Sequence, residues 1–105
     1  MHAHVNIWRL NDAGNSGSDR ISREVADLLR QQPGFHSYSV VRTGDQEVVV
    51  ITMFESAAQL HTALEAVQGQ VRENIEHVSS GKPETRNGDV LFHLDRFDEG
   101  EHAPR

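Results

Sequence analysis

The chain contains no cysteine. Disulfides, thiolate nucleophiles, cysteine-ligated zinc and iron–sulfur clusters are therefore excluded. No run of about 18 apolar residues occurs, so no segment reads as a membrane-spanning helix. Basic charge is scarce: ten Lys and Arg stand against sixteen Asp and Glu, a net charge of −6, and no basic stripe appears. Nucleic acid is thus not an expected partner. The sequence has no GxGxxG after a strand, no phosphate loop and no GxSxG elbow. The N-terminus lacks a basic region followed by an apolar one, so the expected compartment is the cytoplasm. At 105 residues the chain is long enough for one domain with one core.

The elements that are present alternate in type. His2 to Leu10 alternates as a strand, with His2, His4, Asn6, Trp8 and Leu10 on one face and Ala3, Val5, Ile7 and Arg9 on the other. Asn11 to Gly17 reads as a loop by composition, and its Gly14-Asn15-Ser16-Gly17 stretch as a candidate lid. Ser18 or Asp19 is placed to cap a helix whose stripe is Ile21, Val25, Leu28 and Leu29, stopped by Pro33-Gly34. Phe35 to Thr43 and Glu47 to Phe54 read as two strands joined at Gly44-Asp45, and so close in sequence they must pair antiparallel. Ser56 to Gln59 has the spacing of a capping box. The helix after it carries Leu60, Ala63, Leu64, Val67, Val71, Ile75 and Val78, with Gly69 expected to kink or split it. Ser80 to Gly88 reads as a polar loop, Asp89 to Asp95 as the fourth strand. The domain is thus residues 1–95, with a polar tail at 96–105.

The order β-α-β-β-α-β is that of a ferredoxin-like α+β fold, a four-stranded antiparallel sheet with both helices on one face. Val48 to Ile51 is apolar on both faces, and two helices cover only one. The uncovered face is larger than a monomer usually tolerates, which predicts a homodimer packed sheet to sheet.

Three stretches, HVNIWRL at the start, PGFHSYSV after the first helix and VVVITMFES before the second, resemble antibiotic-biosynthesis-monooxygenase-like (ABM) domains. The resemblance runs over roughly residues 2 to 95 in element order. It implies a dimeric α/β barrel with a cleft between helices and sheet. Some members of that family oxygenate polycyclic aromatics without metal or flavin, some degrade haem, and many have no known activity. Asn6 matches in position the asparagine of the haem-degrading members. Ala63 stands near where those members carry a tryptophan, and His77 is a few residues off their ligand spacing. Haem degradation is accordingly the weakest of three readings.

The even face of the first strand is the chemically informative one. An amide, an indole and imidazoles on one strand face suit the wall of a cleft, where a few polar groups orient an apolar ligand. The first reading is a cofactor-independent monooxygenase for a small aromatic or quinol-like compound. Such a reaction needs a base near neutral pKa and a donor for the developing oxyanion. Asn6, His4 and His77 are the catalytic candidates, and Trp8, Tyr38, His61 and Phe92 the substrate-binding ones. Tyr38 and Arg42 are expected to share a strand face with His36. The second reading is a non-catalytic module holding a small apolar ligand in the same cleft. No organic cofactor is called for and no metal is assigned. A His2-x-His4 pair completed by His93 would be the only candidate metal site, and seven histidines make a chance pair common.

Overall fold

The computed structural model describes residues 1–95, with the backbone alone at 13–18. Six elements follow one another: β1 (His2–Arg9), α1 (Asp12–Arg30), β2 (Phe35–Gly44), β3 (Glu47–Phe54), α2 (Ala57–Val78) and β4 (Glu84–Asp89). The strands form one antiparallel sheet in the order β2-β3-β1-β4. This is the ferredoxin-like α+β arrangement.

Both helices present their apolar stripes to the same sheet face. Ile21, Val25 and Leu29 of α1 meet Leu60, Ala63, Val67, Val71 and Val78 of α2 and Phe54 of β3 in one core. Phe54 is fully buried, and Phe35 packs edge-to-face on it at 5.6 Å. That geometry places the positive edge of one ring against the negative face of the other.

Three boundaries differ from the sequence reading. First, α1 starts at Asp12, not near Ser18, so the backbone over 14–17 is helical rather than a lid loop. The residues before it are anchored tertiarily: the Asn11 backbone N–H donates to Val78 O at 3.0 Å, its Nδ2 to His77 O at 2.8 Å, and Gln46 Nε2 to Asp12 Oδ1 at 3.1 Å. Anchoring of this kind overrides a weak local propensity. Second, α2 is continuous through Gly69, because the buried residues Val67 and Val71 hold it on either side. Third, β4 is the polar run 84–89 instead of 89–95. Beyond it the Val90 N–H donates to Met1 O at 2.9 Å, just ahead of β1. Leu91 and Phe92 are 96% and 82% exposed.

The Ser56 cap forms as read in one half. Its hydroxyl accepts from the Gln59 N–H at 3.2 Å, while the Gln59 amide oxygen accepts from that hydroxyl and not from the Ser56 backbone. Gly34, in the turn between α1 and β2, has φ +83°, a conformation that glycine adopts without a Cβ penalty.

Candidate functional site

The face of β1 chosen by the helices is the even one. His4, Asn6, Trp8 and Leu10 line a cavity of about 130 Å³ between sheet and helices. The register builds its floor in rungs across three strands. His4 lies opposite Thr52, and Thr52 opposite Tyr38; Asn6, Val50 and Val40 form the next rung, Trp8 and Val48 the one after. The His4–Thr52–Tyr38 rung is polar, and the next two set Asn6 and Trp8 beside Val40, Val48 and Val50. The roof is Ile21, Ser22 and Val25 of α1 with Leu64, Val67 and Ile75 of α2.

The polar groups are mutually held. Thr85 of β4 faces Asn6 across the ladder, and its hydroxyl donates to Asn6 Oδ1 at 2.7 Å. His4 has a pKa below its ordinary value, chiefly because burial penalises the imidazolium and secondly because His2 adds like charge; a hydrogen bond with the Asn6 side chain acts in the opposite direction. It is therefore a neutral imidazole at pH 7, free to accept a proton. Burial pushes the Tyr38 phenol above its usual range, against a hydrogen bond with Ser22 that lowers it. Tyr38 stays a neutral hydrogen-bond donor.

Four of the seven residues expected from sequence come together here: His4, Asn6, Trp8 and Tyr38. The other three stand apart. His61 is exposed on α2 and ion-paired with Glu65 at 2.7 Å, one helical turn on. His77 is exposed near the end of α2, away from the cavity lining. Phe92 is excluded because its segment leaves the sheet after Asp89. Thr52, Ser22 and Thr85 escaped the sequence reading. Hydroxyls carry no periodicity of their own; only the strand register, with Thr85 opposite Asn6, would have shown the last of them.

The expected face sharing on β2 is also corrected. A register shift between Phe35 and Ser37 breaks the alternation. His36 thus leaves Tyr38 and packs edge-to-face on His93, ring centres 5.0 Å apart. His93 in turn meets Asp95 at 3.2 Å, and His2 meets Asp89 at 3.3 Å. Among the described residues no group of three His, Asp or Glu side chains is arranged to hold a metal ion.

The family model for antibiotic biosynthesis monooxygenase matches residues 18–70, just over half of the chain. The chain belongs to the ABM family. Its fold is shared with solved structures at low identity. SnoaB, a cofactor-independent oxygenase from Streptomyces nogalater, is 18% identical with a TM-score of 0.75, over 89% of this chain and 95% of that one. A protein of unknown function from Nitrosomonas europaea is 13% identical with a TM-score of 0.77, over 89% and 91% of the two chains. A conserved protein from Methanosarcina mazei is 7% identical with a TM-score of 0.74, over 83% and 89%. Among curated proteins none matches the sequence. Among the described residues no helix of this ABM-family chain is long and apolar enough to cross a membrane.

Proposed function

We propose that this ABM-family protein is a cofactor-independent oxygenase for a small aromatic or quinol-like compound. The observation that carries the reading is that a neutral imidazole, a carboxamide, an indole and a phenol line one cavity whose other walls are largely aliphatic. His4 would take the proton that the substrate must lose, and the Asn6 amide would donate to the oxyanion left behind. Trp8 and the aliphatic walls would hold the ring and keep bulk water from the reactive anion. The electron-rich anion gives an electron to dioxygen, the two fragments join through a C–O bond, and the O–O bond breaks. A ring CH2 and dioxygen thereby become a carbonyl and water. A dry cavity of about 150 Å³ takes one benzene ring; the volume of about 130 Å³ here is close to that, so a single ring is the expected size and a tricyclic anthrone needs the helices to part.

Oxygen consumption with a panel of hydroquinones and anthrones tests the proposal. The wild type should exceed background, and Asn6→Ala should lower the rate by about a hundredfold, as loss of an oxyanion donor does elsewhere. If ligands shift the Trp8 fluorescence and no oxygen is consumed, the protein is a binding module instead.

The proposal extends to the assembly. The odd residues Ala3, Val5, Ile7, Val49 and Ile51 occupy the sheet face opposite the cavity, next to Val41 at 45% exposure. A second copy packed on that face would cover them, which supports a homodimer formed sheet to sheet.

A further inference from the structure

The Asn6 carboxamide has two donors and two acceptor positions, and the function of the site depends on which of them meets substrate. Its Oδ1 is engaged by the Thr85 hydroxyl at 2.7 Å. That bond commits the carbonyl oxygen to β4 and leaves the Nδ2 hydrogens as the donors of the group. Thr85 is exposed, lies on the border strand β4 and belongs to neither the cavity lining nor the core. Its place directly opposite Asn6 in the ladder fixes it within reach of that one side chain.

We infer that Thr85 is a positioning residue: its hydroxyl clamps Asn6 Oδ1 so that Nδ2–H points into the cavity at the substrate oxygen. The inference rests on the oxygenase reading for its purpose, and on the ladder for its geometry. Without the hydroxyl that hold is lost, and a flipped amide presents an acceptor to an oxyanion. Asparagine would still be present and the cavity unchanged, yet the donor would be unreliable. A loosened donor costs less than a deleted one, so the loss should be about tenfold where outright removal costs about a hundredfold or more.

The test uses the full chain as wild type, Thr85→Val and Thr85→Ser, with 4-nitrophenol as probe because its phenolate is coloured. Bound to the wild type, the probe should ionise at lower pH than free in solution. Thr85→Val should reduce the bound phenolate-to-phenol ratio about tenfold at fixed pH, with affinity for the neutral phenol and the thermal midpoint unchanged, and Thr85→Ser should restore it. Equal ratios in wild type and Thr85→Val overturn the inference. The side-chain amide cross-peaks of Asn6, identified by their loss in Asn6→Ala, give a second readout that needs no ligand. They should move to the shifts of a solvated asparagine in Thr85→Val and return in Thr85→Ser; peaks that stay in place overturn the clamp. Failure of the wild type to bind 4-nitrophenol, with the amide peaks still responding, overturns the oxygenase reading and leaves the clamp supported.

Discussion

His4 couples the site to pH. Burial holds its pKa below the ordinary 6.5 of a histidine, so the folded chain releases this proton more readily than the unfolded one. Above pH 6.5 both states carry neutral imidazole and the full stability is present. As pH falls through 6.5 the unfolded state gains the proton first, and stability is lost until the lowered folded value is passed. The thermal midpoint should therefore drop more steeply between pH 8 and pH 5 in the wild type than in His4→Gln. The oxygenase rate should have an acid limb lying below pH 6.5, since protonated His4 accepts nothing. Gly34 is a second residue where a single change has a defined cost. Its φ of +83° is disfavoured for any side chain, and a Cβ there would collide with the side chain of Gln59. Gly34→Ala should destabilise the chain by about 1–3 kcal/mol, read from the midpoint of urea unfolding. Both residues were visible in the sequence, Gly34 as a helix stop and His4 as part of a polar strand face. Their cost and charge state were not, because these depend on what packs around them.

At the level of elements, α2 shows how burial outweighs a local weakness. Gly69 is exposed, a Cβ on it would meet nothing, and its backbone is ordinary helix. Gly69→Ala should therefore stabilise the protein by about 0.5–1 kcal/mol in the same unfolding measurement. Ser56→Ala removes the acceptor for the Gln59 N–H and should cost about 1 kcal/mol. The strand β3 and the stripe of α2 were legible because apolar residues recur at the period of each element. The fourth strand was not. Glu84 to Asp89 has no apolar residue and so no alternation to read, while the apolar run after it has the look of a strand and bonds to Met1 O through the Val90 N–H. What makes 84–89 a strand is the ladder offered by β1, a long-range fact. The consequences fell on the site: Phe92 was expected within it and Thr85 was overlooked.

For the whole molecule, the decisive feature is that two helices occupy one side of the sheet. The sequence required that half of β3 remain uncovered, but left open which face of β1 would turn to the helices. The register answers it: the polar even face is inward and the aliphatic odd face outward. Ile51 pairs with Val5 on the outward side. Sedimentation equilibrium at micromolar concentration should give the mass of two chains for the wild type and of one for Ile51→Arg, with the far-ultraviolet circular dichroism retained. A wild type that sediments as one chain would refute the assembly. The border strand β4 carries a different consequence. It contributes nothing to the buried core, yet its Thr85 hydroxyl donates to the amide on which the chemistry is proposed to turn. Substitutions along it can thus retune the proposed site while leaving the buried core untouched, so a lineage drifting at 84–89 changes its cavity chemistry before it changes its shape.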